Sequence, residues 1–532
     1  MISKLILVYY LIVLSTSIEG LKILAIAPQV GVSHVRFTGN AIDILVKAGH
    51  DVTFLLPSLD PETNITGSKL ARIITADKTP ELTQQVSKNA NKNESFWEKD
   101  TRNLFTFFSI IENFQKTLEM HCERLINNDT LTEIMRNEKF DLGIVEIFDY
   151  CAFGLFKLYD IPAHVGIIAS SLPSAIYKHV GLTYPIAQLP ELFTDFSDNE
   201  MTFLNRLKNL FGFAMGTVFS DNLVKRENKL FEKKYGKNFV DIPEQIRDSS
   251  FLIVNSNPFA DNTHPTLSKI IEIGGFAMTK PNILSKEWDD VMSRKKHTIL
   301  VSFGSVAKSH QMPIKMKDAF IKAFKELPDV TFIWKYEEPN DPYIEKLENL
   351  YLSKWVPQTD LLNDERLTGF LTHSGQNSLQ EAAYYGVPLI CLGIFADQHK
   401  NAKIAEKLGF GSILSKQDAY DHEKIVNAFK KLLIEDNEYK KNGKRISDMI
   451  KNKPGNITQT FIDYVEFAGK FKKLPHLNME GHKLNIFQYA LLDVILFLLA
   501  VILTTLFIVG FIVFKAVKIM YVAIFGKKQK VE

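Results

Sequence analysis

The stretch Trp355–Ala402, WVPQTDLLNDERLTGFLTHSGQNSLQEAAYYGVPLICLGIFADQHKNA, holds two successive strand-to-helix turns and restricts the fold more tightly than any other part of the chain. Leu367–Thr372 is a short, mostly apolar run preceded by charged residues, which reads as a buried strand. His373-Ser374-Gly375 follows, and Ser374 can cap a helix running to Tyr385, stopped by Gly386 and Pro388. Pro388–Leu392 is the next buried strand, which opens into Gly393–Asp397 and a further helix from Gln398.

A helix that starts just past the carboxyl end of a buried parallel strand presents free N–H groups and positive dipole to an anion. His373, Ser374 and Gly375 are therefore a candidate cradle for a pyrophosphate. Asn377 and Glu381, four apart, share a helix face and can track along one ligand. Upstream, Trp355 and Gln358 offer a stacking plane and an amide to a flat heterocycle. Downstream, Asp397 and Gln398 offer an acceptor and an amide to sugar hydroxyls. The stretch reads as a nucleotide-sugar site.

In the first half, Leu21–Ala27 reads as a strand, Val35–Gly49 as an amphipathic helix and Asp51–Leu56 as a second strand. That βαβ unit implies a parallel sheet. No GxGxxG sits in its first turn, which argues against a dinucleotide site there. Further strands are expected at Arg72–Ala76, Asp141–Ile147, Ala163–Ala169 and Phe251–Asn255, the last closing the sheet. Glu81–Glu98 reads as a loop or exposed helix, and Asn103–Leu125 as a long helix. Residues 170–241 are irregular and then helical, and their Phe211 and Phe213 suit an apolar pocket wall or core packing.

Between Ile273 and Lys296 the composition shifts to glycine, proline and charge, as in an interdomain linker. A second alternation begins at Thr298–Phe303, followed by the Gly304-Ser305 turn. It continues with a helix at 312–326, strands at 330–335 and 350–354, and helices at 421–434 and 458–469, the last a candidate to reach back to the first domain. The expected fold is α/β: two facing Rossmann-like doubly wound domains, 21–272 and 298–470, joined by a linker at 273–297. Ligand is expected in the crevice at the carboxyl ends of both sheets.

At 532 residues the chain has room for two substantial cores, and its formal net charge of +2 argues against a nucleic-acid partner. Three cysteines, Cys122, Cys151 and Cys391, are too few for a disulfide framework, and their spacing builds no metal site. Residues 1–20 read as a signal peptide, and 471–493 as a juxtamembrane segment. Val494–Phe514 runs uncharged for about twenty residues, enough to span a bilayer. The lysines in 515–532 place a basic tail in the cytoplasm and the large N-terminal part in the lumen, a single-pass type I arrangement. Sequons at Asn64, Asn93, Asn128 and Asn456 suit that side. Lys528 and Lys530, fifth and third from the end, resemble a dilysine retrieval signal, which implies the endoplasmic-reticulum membrane.

The WVPQ…THSGQNSLQEA…FADQ stretch, together with GVSHVRFTGNAI at Gly31–Ile42, closely resembles the signature of the animal, membrane-bound UDP-glycosyltransferases, over nearly the whole chain. One departure is Ser374, where many animal members carry the first of two glycines. The resemblance implies a GT-B fold, a UDP-sugar as co-substrate with no further cofactor, and a small lipophilic acceptor. It also puts Trp355 and Gln358 at uracil, Glu381 on the ribose, Asn377 near phosphate, and Asp397 with Gln398 on the sugar.

Transfer from a nucleotide sugar needs a base for the acceptor's proton, stabilisation of the departing diphosphate, and alignment. His34, expected in the loop after the first strand, is the candidate base and matches the family's catalytic histidine. A carboxylate should orient it; matching the strand at Asp141–Ile147 points to Glu146, with Asp149 as the alternative. No Asp-x-Asp occurs, so the leaving group is expected to rest on backbone N–H groups near Gly375, on His373 and on Ser305, without a metal. Transfer to a membrane lipid or sterol, or an inactive nucleotide-sugar-binding scaffold, are the alternatives. A homo-oligomer is possible, and nothing in the sequence decides it.

Overall fold

The computed structural model describes residues 20–29, 31–59, 65–76, 79–90, 96–98, 104–435 and 437–525. The expected signal peptide before Gly20, Asn64, the Asn93 sequon and the two retrieval lysines lie outside these residues.

Among the described residues thirteen strands form two sheets, each parallel throughout. The first has the order β3-β2-β1-β4-β5-β6-β7, built from β1 (Lys22–Ile26), β2 (Asp51–Leu55), β3 (Arg72–Ile74), β4 (Leu142–Glu146), β5 (His164–Ile168), β6 (Leu252–Val254) and β7 (Ile270–Glu272). The second has the order β10-β9-β8-β11-β12-β13, from β8 (His297–Ser302), β9 (Val330–Lys335), β10 (Leu350–Ser353), β11 (Leu367–Thr372), β12 (Leu389–Cys391) and β13 (Gly411–Ile413). Helices cover both faces, so the central strands are mostly apolar and buried; all five residues of β4, LGIVE, are buried.

The helices that matter for the site are α1 (Val32–Lys47), α2 (Leu104–Ile126), α3 (Cys151–Leu158), α4 (Phe203–Tyr235), α5 (Gln376–Tyr385), α6 (Gln398–Lys407) and α7 (Ile457–Phe471). α7 comes after the whole second sheet, yet Phe461, Val465 and Ala468 pack with Ile23, Ala25 and Ile253 in the first core. Gly469 lets Leu21 pack against α7, since a Cβ would stand 2.3 Å from Leu21 Cδ1 and that side chain would have to shift.

Several expectations need correction. Phe251–Asn255 does not close the first sheet; β7 is its outer strand. The 273–297 stretch contains a helix, Lys286–Met292, and its last residue begins β8. The 81–98 stretch, expected as a loop or exposed helix, does hold most of a helix at Pro80–Ala90, but Trp97 is buried in the second core, its indole N–H donating to Lys308 O at 3.0 Å. The helix Glu438–Lys451 and β13 were not anticipated. Cys122 and Cys151 form a disulfide that ties the end of α2 to the start of α3.

Residues 180–182 and 479–525 form a separate unit. Its main element is α8 (Leu492–Phe525), which begins before Val494 and continues past Phe514 through Lys515 and Lys518. It is long and apolar enough to cross a membrane.

Candidate active site

β1 ends at Ile26, and the chain enters α1 through Gly31, whose φ of 66° lies in the left-handed region. His34 therefore stands in the first turn of α1 rather than in a loop, at the carboxyl end of the sheet. Glu146, the last residue of the neighbouring β4, is 2% exposed and accepts from His34 Nδ1 at 2.9 Å. An ionised carboxylate only accepts, so the proton sits on Nδ1 and the Nε2 lone pair is left for a substrate. Burial disfavours the imidazolium, but the charges of Glu146 and then Asp397 outweigh it, and the net shift of His34 is upward from 6.5. Phe148 supports the ring, with centroids 4.6 Å apart.

Asp149 takes no part in that contact. Its Oδ1 accepts from Cys151 N at 3.2 Å, its Oδ2 is 3.7 Å from His121 Nε2, and burial raises its pKa. It belongs to a buried polar cluster with Glu227 of α4, whose carboxyl is pushed far up by burial and by Asp149. Burial also lowers His121 to about 3.

In the second lobe, β11 leads into His373, Ser374 and Gly375. Ser374 does not cap α5; Gly375 is the N-cap residue, and Ser374 is a fully buried left-handed residue with φ 63°. Its carbonyl accepts from Asn401 Nδ2 at 3.0 Å, and the same nitrogen donates to Asp397 Oδ2 at 2.7 Å, so one asparagine links the α5 turn to the α6 turn. The His373 ring is wedged between two glycines: a Cβ on Gly304 would lie 2.6 Å from its Nε2, and one on Gly375 2.7 Å. Gly304 and Ser305 form the turn after β8. Burial, then the charge of Lys335, lowers His373 to about 4, so at neutral pH the ring is uncharged, with a hydrogen bond to the Ser302 backbone.

Trp355, Gln358 and Glu381 lie together. Gln358 Nε2 donates to Glu381 Oε2 at 2.5 Å and to Ser378 Oγ at 3.2 Å, and burial raises Glu381. Asn377 is engaged elsewhere: its Oδ1 accepts from Asn255 Nδ2 at 2.9 Å, a bond between the lobes. Gln398 Oε1 accepts from Ile394 N and Phe395 N, so its carbonyl shapes its own turn. Burial raises Asp397, which also senses His34 across the crevice.

Two cations escaped the sequence reading. Arg36, from α1 of the first lobe, stacks its guanidinium 4.0 Å from the centre of the Trp355 ring. Nothing in the local sequence marks it. Lys335 donates to Gly304 O at 2.7 Å and lies 5.7 Å from the same ring. Its signal was legible in principle, as a charge at the carboxyl end of the otherwise apolar β9.

Two parallel-sheet lobes, with titratable groups gathered at the carboxyl ends of β1 and β4 on one side and of β9, β11 and β12 on the other, define a two-lobed nucleotide-sugar transferase of the GT-B type. The family model described as "UDP-glucoronosyl and UDP-glucosyl transferase" matches residues 22–531, and the chain belongs to that family. It is 31% identical over 478 residues to the putative UDP-glucuronosyltransferase ugt-56 of Caenorhabditis elegans, covering 86% of this chain and 88% of that protein. It is 28% identical over 527 residues to human UDP-glucuronosyltransferase 1A8, covering 96% and 93%. Os79 from O. sativa, solved with U2F and trichothecene, shares the fold with a TM-score of 0.59 at 15% identity over 85% of this chain and 100% of that one. The chain is a UDP-glycosyltransferase, transferring sugar from a UDP-sugar.

Proposed function

We propose that the chain transfers the sugar with inversion and without a metal, from an α-linked UDP-sugar to a hydroxyl of a small lipophilic acceptor, giving a β-glycoside. The observation that carries this reading is the 2.9 Å bond between His34 Nδ1 and Glu146. His34 Nε2 removes the acceptor's proton while the acceptor oxygen bonds to the anomeric carbon. The bond from that carbon to the diphosphate breaks on the opposite face, and UDP leaves with the electron pair. Glu146 stabilises the imidazolium as it forms. The N–H groups at the start of α5, the His373 N–H and Ser305 receive the diphosphate, with Lys335 held close to the same turn. Trp355, Gln358 and Glu381 take the base and ribose, and Asp397 and Gln398 the sugar.

The catalytic lobes are assigned to the lumen of the endoplasmic reticulum, with α8 as a single-pass type I anchor. The Cys122–Cys151 disulfide supports an oxidising compartment. Exposed Phe203, Leu204, Leu207 and Phe211 on α4 support an apolar acceptor.

The test is transfer from a panel of UDP-sugars to a phenol library by the full chain in EDTA, with the anomeric configuration of the product read by NMR. Strict dependence on manganese, or an α-linked product, would remove the corresponding part of the proposal. His34→Ala should lower kcat by at least about a thousandfold while UDP affinity persists. Full activity in that variant would refute the base assignment.

A further inference from the structure

Lys400 stands in the first turn of α6, two residues after Gln398, and is 6% exposed. Its ammonium reaches across to the first lobe, to Ser171 Oγ at 3.5 Å, the outer limit of a hydrogen bond. Among the described residues no carboxylate comes within ion-pair distance of it. The other lysines near it on α6 behave differently: Lys403 pairs with Glu406 at 3.0 Å, and Lys407 with Asp198 at 2.6 Å, both on a more open surface. A buried charge with one long contact is expensive, and such groups are retained where a partner arrives.

The surroundings suit an incoming anion. Asp397 and Glu191 both sense the Lys400 charge at longer range. Asp397 Oδ2 is already held by Asn401. Glu191 is 4% exposed, its Oε1 has no hydrogen-bond partner, and burial pushes it towards the neutral form, in which it donates. The Lys400 ammonium and the Ser171 hydroxyl therefore meet at the seam between the lobes, with the buried Glu191 carboxyl at longer range and the residues assigned to the sugar two and three positions before Lys400.

We propose that Lys400 is a specificity-determining residue that binds a carboxylate at this seam, with Ser171 and Glu191 as its companions. A neutral hexose gives the ammonium a hydroxyl; a carboxylate gives it an ion pair in a water-poor setting. Two reactants can bring that group: a uronic acid donor, through its C6 carboxylate, or an acceptor bearing an acid. The inference rests on the assignment of Asp397 and Gln398 to the sugar.

The experiment compares wild type with Lys400→Met and Lys400→Arg. Each of UDP-glucuronate and UDP-glucose is paired with 4-hydroxybenzoate and with 4-hydroxybenzyl alcohol. Lys400→Met should lower kcat/KM for the carboxylate-bearing reactant by about ten- to a hundredfold relative to its neutral counterpart, with partial recovery in Lys400→Arg. A loss that follows UDP-glucuronate with both acceptors places the carboxylate on the donor. One that follows 4-hydroxybenzoate with both donors places it on the acceptor. Equal loss across all four pairings, or no loss, overturns the proposal. Calorimetric Kd values for the two UDP-sugars, and for 4-hydroxybenzoate in the presence of UDP, give a readout that needs no turnover. Unchanged Kd ratios in Lys400→Met overturn the carboxylate site even if no transfer is seen, whereas absence of transfer in wild type overturns the catalytic reading alone.

Discussion

Replacing Glu146 by Gln removes a charge and leaves the shape of the site in place. Gln keeps a carbonyl oxygen able to accept from His34 Nδ1, so the tautomer that exposes Nε2 persists. What is lost is the attraction between a 2% exposed carboxylate and the imidazolium that forms as the acceptor is deprotonated, across a 2.9 Å contact. A charge-assisted bond of this kind contributes about 1.5–3 kcal/mol, or about 10- to 150-fold in rate. The pH dependence carries the sharper signal. His34 acts as a base only when neutral, so activity rises as pH climbs through its pKa, which in the wild type lies above 6.5. Burial is the largest single influence on that histidine and lowers the pKa, and only Glu146 and Asp397 raise it. Without the Glu146 charge, the acid limb should move to lower pH. The deficit of Glu146→Gln is then greatest on the alkaline plateau and narrows on the acid side. Initial rates of kcat/KM from pH 5 to 9, with UDP affinity measured alongside, test this. A profile that keeps its limb in place while falling uniformly would refute the electrostatic role of Glu146.

Two further outcomes follow from the same geometry. Cys122→Ser opens the disulfide, and for a sequence separation of 29 the chain-entropy model gives a loss of about 3–4 kcal/mol, readable as a lower midpoint in urea and checked by Cys151→Ser giving the same shift. Gly304→Ala should weaken UDP binding by at least about tenfold in calorimetry, because its φ of 76° strains any side chain and the added Cβ would meet the His373 ring at 2.6 Å.

The buried parallel strands were legible because their apolar runs are short and bounded by turn residues. Leu367–Thr372 was anticipated to the residue, and Val330–Lys335 likewise. The second core's claim on Trp97 was not, because a lone tryptophan in a polar stretch carries no period. The helix Glu438–Lys451 was hidden by its charge: seven of its fourteen residues are Lys, Arg, Glu or Asp, and only Ile446 and Ile450 mark the buried face among its large apolar side chains. At the site, His34 and Glu146 were reachable because both lie near the carboxyl ends of strands whose positions were clear and both match positions in the family's pattern. The choice between Glu146 and Asp149 was left open in sequence because each lies at a strand end. In the structure, β4 ends at Glu146, and after the turn at 147–148 Asp149 lies against His121 instead. Asn377 and Gln398 could not be read fully, since their partners, Asn255 and the backbone of 394–395, are set by tertiary packing.

The placement of α7 sets an order of events during synthesis. The first sheet is translated early, but Phe461, Val465 and Ala468, which cover part of its core, leave the ribosome only after the entire second sheet. Until then an apolar surface around Ile23, Ala25 and Ile253 stays uncovered, so the N-terminal lobe cannot mature as an independent domain. A nascent chain cut short anywhere before residue 457 leaves a sticky, unfinished half, which makes α7 a seal on the quality of everything made before it.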